Sequence, residues 1–155
     1  MGTSLLVVVH DISSAQRLLD MVKLVYSLGF NQIVVTKAYG AAASSGIPDA
    51  MRLALRLNRS IYVLPSVKDA VEVFSPDKIV IISREYGEAA DVDEIVSRLG
   101  NANKPMIIFG GSDPAPGKDI AGLGEALYPR GFEARAGPVA EAAIILYRYK
   151  SLLTG

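Results

Sequence analysis

Five short apolar runs, at residues 5–9, 33–35, 61–64, 79–82 and 106–109, constrain this chain more than any other feature. Each is a continuous block, mostly Val, Ile and Leu, rather than an alternation of apolar and polar residues. A strand with one wet face alternates, whereas a strand buried on both faces does not. Helical patterns separate the runs, so the chain reads β, α, β, α. That order predicts an α/β fold with a mainly parallel sheet flanked by helices, in one domain over residues 1–155.

Composition removes several function classes. Half of the 155 residues are hydrophobic, enough for a sizeable core. Sixteen basic residues balance sixteen acidic ones, so net charge gives no reason to expect nucleic acid, and such binding would need a local basic patch. The chain has no cysteine, which removes disulfides, thiolate metal sites and cysteine nucleophiles. His10 is its one histidine, too little for a zinc site, and no metal is expected. The run at 5–9 is too short for a signal segment or a membrane span, so a soluble cytoplasmic protein is the expectation.

A first helix is expected over 14–28, with Ala15, Leu18, Leu19, Val22, Val25 and Tyr26 on one face, a serine cap at Ser13 or Ser14 and a stop at Gly29. Residues 38–46 are small and give no clear structure. Pro48 suits the first turn of a helix running to about Asn58, which would bring Arg52, Arg56 and Arg59 to one face. Such a stripe is ordinarily a solvated face, with contact to RNA phosphates the sharper alternative. Shorter helices are expected over 66–74 and, capped by the Asp91-Val-Asp-Glu94 stretch, up to Gly100.

The stretch from Lys104 to Tyr149 concentrates the loops. A buried strand at 104–109 runs into a Gly/Pro-rich loop at 110–117, and a short strand follows near 126–128. The turn Pro129-Arg130-Gly131 then leads through Ala136-Gly137-Pro138 into a strongly apolar helix from Val139 to about Leu153. A helix this apolar belongs in the core, at an oligomer interface, or both; a homodimer is expected. Ligands of open parallel sheets sit beyond the strand C-termini, which marks these loops as the place for a small molecule.

Known phosphate motifs fail here. Between Gly111 and Gly117 five residues intervene, and Asp119 follows Lys118, so the P-loop spacing is not met. A dinucleotide fingerprint is absent, because the first strand runs into His10-Asp11, and Gly122-Leu-Gly124 lacks its third glycine. A nuclease motif of the PD-(D/E)xK kind needs Glu or Asp, any residue, then Lys; no such triplet occurs, and Glu133-Ala-Arg135 is the nearest. His10 is either a base or a structural loop residue, and Asp11 a turn or helix-start residue.

Three stretches resemble the SPOUT superfamily of S-adenosylmethionine-dependent RNA methyltransferases, in particular its ribose-modifying SpoU branch. Residues 10–35, with Tyr26-Ser-Leu-Gly-Phe-Asn-Gln-Ile-Val-Val35, resemble its opening loop, helix and strand. Pro105-Met-Ile-Ile-Phe-Gly-Gly111 resembles its strand ending in Phe-Gly. Leu127-Tyr-Pro-Arg-Gly131 through Gly137-Pro-Val-Ala-Glu-Ala-Ala-Ile-Ile-Leu-Tyr147 resembles its closing turn and Ala-rich helix.

The resemblance implies a SPOUT-like sheet with a C-terminal trefoil knot, a homodimer through the knot helices, RNA as a partner, and S-adenosylmethionine as cofactor. By position it assigns cofactor contacts to Ser83, Arg84, Gly110, Gly111, Ser112, Tyr128, Pro129, Arg130, Gly131, Gly137, Pro138 and Val139, within loops at 83–85, 110–112, 128–132 and 136–139. The SpoU branch carries an Asn, an Arg and a Ser-Leu-Asn stretch where this chain has His10, Lys23 and Arg135-Ala-Gly137. Lys23, Arg84 and Arg135 are therefore the catalytic candidates, and Lys23 replaces a bidentate fork with a point charge. The same departures suit a catalytically silent RNA- or ligand-binding relative. The chain also looks like short archaeal proteins sometimes labelled RecB-family exonucleases, which keeps a nuclease as a further alternative. A flavodoxin-like domain with an unknotted C-terminus is the remaining one.

Overall fold

The computed structural model describes residues 4–112 and 115–154. Strands β1 (Leu6–Ile12), β2 (Gln32–Ala38), β3 (Ser60–Leu64), β4 (Lys78–Ile82), β5 (Glu88–Ala90), β6 (Pro105–Gly110) and β7 (Glu125–Pro129) form one sheet. Their order is β3-β2-β1-β6-β4-β7-β5, and every neighbouring pair is parallel. All five apolar runs fall in strands, with Leu5 just ahead of β1, and the short strand expected near 126–128 is β7.

Both faces of the sheet are covered, which explains the unbroken apolar runs. Leu5, Val7, Val9, Ile33 and Ile107 pack beneath α1 (Ala15–Ser27), α2 (Ile47–Leu57), α4 (Val92–Gly100) and α6 (Pro138–Thr154). Leu6, Val8, Val34, Met106 and Ile108 pack on the other face with Val67 and Ala70 of α3 (Val67–Phe74) and Ile120 of α5 (Lys118–Ala121). Ser14 caps α1, its Oγ accepting from Arg17 N at 3.1 Å, and Gly29 adopts φ +90° just past the helix end. Among the described residues no helix is long and apolar enough to cross a membrane.

Several local expectations change. Strand β3 is not buried on both faces: it is the sheet edge, and Tyr62 and Val63 are 39% and 48% exposed. Helix α2 stops at Asn58, whose φ of +55° turns the chain, so Arg59 leaves the helix and donates to Asn31 Oδ1. The expected arginine stripe is broken there, and Arg52 pairs with Asp49 at 2.6 Å. Residues 42–46 form a π-helical turn leading into α2. Asp91 stands at the N-cap of α4, but its carboxylate makes no cap bond and instead accepts from Arg130 Nη1 at 2.8 Å. Neither β5 nor α5 was expected, because each is too short to carry a periodic signal.

Candidate functional site

The parallel strands aim all their C-termini at one edge, where the loops after β1, β4, β6 and β7 meet. Strands β1 and β2 turn away together there. His10 is paired with Thr36, and the next residues, Asp11 and Lys37, both take left-handed conformations at φ +66° and +52°. For non-glycine residues that conformation carries strain, which persists only where the surroundings enforce it.

Beside them, Gly110 ends β6 opposite His10, and Gly111 N donates to His10 O at 2.7 Å. A Cβ on Gly110 would lie 2.1 Å from Ala115 O and 2.6 Å from Pro116 N, so the backbone crosses directly over this glycine. Gly87 is equally confined: a Cβ there would meet Ser83 O at 2.4 Å and the Leu127 backbone at 2.8 Å. Ser83 is buried; its N–H donates to Leu127 O at 3.0 Å, and its Oγ accepts from Tyr86 N at 3.0 Å. The 83–87 loop thus rides on β7.

Arginines tie these loops together. Arg135 donates from Nη2 to Gly110 O at 3.0 Å and from Nη1 to Ser112 O at 2.7 Å. Arg17, in the first turn of α1, donates to Gly111 O at 2.9 Å, so three successive carbonyls each receive a guanidinium. Arg84 donates to Glu133 O at 3.1 Å and lies 5.8 Å from the Tyr128 ring centre. Arg130 holds Asp91 and Ala89 O, fixing the turn after β7 to β5 and α4.

A buried carboxylate organises the fourth loop. Glu141, 2% exposed, accepts at Oε2 from the Tyr128 hydroxyl and from Ala136 N and Gly137 N at 3.2 and 3.3 Å. The two amides just before α6 are therefore already paired, and the buried carboxylate that pairs them disfavours an anion beside it. Burial, then the Glu141 contact, pushes the Tyr128 phenol up to about 12, so it stays a donor. Its ring meets Phe132 edge-on at 5.9 Å.

The residues expected to touch a cofactor thus lie along one edge: Ser83, Arg84, Gly111, Ser112, Arg130, Gly131 and Gly137 stand in these loops, and Gly110, Tyr128, Pro129, Pro138 and Val139 at the strand and helix ends that flank them. Gly131 and Gly137 take φ +109° and +97°, with open space where a Cβ would stand. Lys23 does not join them. It is exposed on α1, six residues and roughly 9 Å further along the helix than Arg17 at the usual rise. Arg17 and Glu141 carry no signal in the local pattern, although Arg17 stands in the first helical turn after β1 and Glu141 in the first turn behind Gly137-Pro138.

This architecture is that of SpoU/SPOUT-like methyltransferases. The SpoU methyltransferase AviRb from Streptomyces viridochromogenes, solved in complex with the cofactor AdoMet, matches with a TM-score of 0.71 over 97% of this chain and 61% of its own, at 16% identity. An rRNA methyltransferase from Sinorhizobium meliloti matches at 0.70 over 96% of this chain and 56% of its own, at 12% identity. The chain therefore spans about three fifths of the length of these solved proteins. By sequence it belongs to the family described as RecB-family nuclease (DUF2122), whose pattern matches residues 40–148. A protein of Aeropyrum pernix, provisionally named the type II restriction enzyme ApeKORF2002P, is 41% identical over 147 residues, covering 95% of this chain and 93% of the relative.

Proposed function

We propose that the chain binds S-adenosylmethionine in the loops after β4, β6 and β7 and methylates RNA. The observation that carries this reading is the backbone-lined edge itself, where Gly131 and Gly137 leave open space beside the main chain, while close crossings at Gly87 and Gly110 and a set of arginines hold the loops together. Such a surface suits a ligand with an uncharged purine and an amino-acid tail, recognised through main-chain groups. A carbonyl has two lone pairs, so those at 110–112 can accept a ligand N–H beside the guanidinium already present. Bound there, the cofactor supplies an electrophilic methyl group. Ser83, Gly110–Ser112, Tyr128–Gly131 and Gly137–Val139 would hold it.

The same reading includes a threaded C-terminus and a homodimer. Strand β7 lies between β4 and β5, and the 83–87 loop joining those two strands lies against the Leu127 backbone. A chain leaving β7 beneath that loop and entering α6 produces a trefoil crossing. Ile144 and Tyr147 of α6 are 43% and 64% exposed and line an apolar groove with Val92 and Ala143, a surface suited to a second copy.

Cleavage of DNA is the second reading, favoured by the name of the Aeropyrum pernix relative. Among the described residues no three His, Asp or Glu side chains are grouped to hold a metal. The test is to incubate the protein with tritium-labelled S-adenosylmethionine and tRNA or rRNA transcripts, and in parallel with DNA and Mg²⁺. Acid-precipitable label on RNA is expected. Label absent from RNA together with Mg²⁺-dependent DNA fragments would replace this reading with the second.

A further inference from the structure

The methyl-transfer reading leaves open which group removes a proton from the acceptor, and the catalytic candidates suit that task poorly. Arg84 and Arg135 donate to backbone carbonyls, and a guanidinium does not deprotonate in proteins. Lys23 lies farther down α1.

His10 is placed differently. It is the chain's one imidazole, 7% exposed at the C-terminal end of β1, with strands on both sides in the centre of the sheet. It shares the side of Val8, and Gly110 that of Ile108, so both face the side on which the 115–116 backbone crosses. Its Nδ1 is 2.8 Å from Thr36 Oγ1, which fixes the ring. Among the described residues this is the ring's only hydrogen bond, leaving Nε2 without a protein partner. Among the described residues, Asp11 and Lys37, 3.7 Å apart, and Asp119 are the charged groups that act on it. Burial outweighs them and holds the imidazole below its ordinary value, keeping it neutral near pH 7.

We propose that His10 is the general base of the transfer, with Thr36 as its positioning residue. In the tautomer that donates Nδ1–H to Thr36 Oγ1, Nε2 carries the lone pair. An acceptor hydroxyl or ring N–H gives its proton to Nε2 as its oxygen or nitrogen bonds the methyl carbon. The carbon–sulfur bond breaks with its electron pair left on sulfur, and S-adenosylhomocysteine departs neutral at sulfur. The acceptor must therefore carry a proton to lose, which separates it from ring nitrogens that are methylated directly.

The inference rests on the methyl-transfer reading, and two measurements separate their failures. A long-range ¹H–¹⁵N spectrum of the single imidazole at pH 8 is expected to show an unprotonated Nε2; a protonated Nε2 overturns the proposal without touching the cofactor reading. In the labelled-RNA assay, His10→Gln is expected to lose about 10²–10⁴-fold in rate. Its S-adenosylhomocysteine affinity should stay within about twofold of wild type, and the acid limb of the pH–rate profile should vanish. If His10→Gln also loses S-adenosylhomocysteine binding, Thr36→Val decides, since it keeps the imidazole: a slowed rate with a shifted acid limb supports the proposal, and an unchanged profile overturns it. Transfer by His10→Gln at the wild-type rate overturns the base and leaves methyl transfer standing. Wild-type protein that transfers nothing overturns both, while its S-adenosylhomocysteine affinity still reports on the cofactor site.

Discussion

Arg17 and Arg135 approach the 110–112 loop from opposite ends of the chain, and each acts through a carbonyl rather than a free charge. Replacing Arg135 with Ala leaves the Gly110 and Ser112 carbonyls without those donors and loosens the loop, while Arg17 still holds Gly111. S-adenosylhomocysteine affinity is expected to fall about tenfold, worth ~1.4 kcal/mol, read by titration calorimetry. Glu141 is a stricter case, because its one oxygen serves a hydroxyl and two amides in a buried place. Glu141→Ala should lower stability by roughly 1–3 kcal/mol or more, measured by urea unfolding. His10 sets a pH dependence. Its folded-state pKa is lowered, so the unfolded chain binds a proton more readily once pH drops below about 6.5. Stability should decline from there down to the folded value, and His10→Gln should remove that part of the decline between pH 7.5 and 5.5. The places of Gly110 and Tyr128 at the ends of strands were legible because an apolar run broken by glycine or proline marks a strand end. The roles of Arg17 and Glu141 were not, since each depends on a partner that only folding brings near.

Elements followed legibility by length. Helix α1, α6 and the long apolar strands have enough residues to show a period, and they were read nearly to their ends. Strand β5 has three residues and α5 four, so neither can display one. The apolar run of β3 resembles the others and by itself predicts a buried strand; its place at the edge follows from sheet order, which no local pattern encodes. The close crossings at Gly87 and Gly110 belong to this scale too. Gly110→Ala puts a methyl against backbone that has no rotamer to change, and a loss of about 1–3 kcal/mol or more in thermal or urea unfolding is expected.

Across the whole molecule, the sheet order puts the loops after β4, β6 and β7 beside one another and leaves part of α6 uncovered. If α6 pairs with a second copy, Tyr147→Glu should shift sedimentation from dimer to monomer while the single-chain fold persists. The fold is shared with methyltransferases, and the sequence family is described as a nuclease, so chemistry must be read from the site and not from either label. The most direct test is calorimetric titration of the wild-type protein with S-adenosylhomocysteine. The account predicts saturable binding at one site per chain, in roughly the micromolar range. Absence of binding at millimolar ligand by correctly folded protein would contradict it.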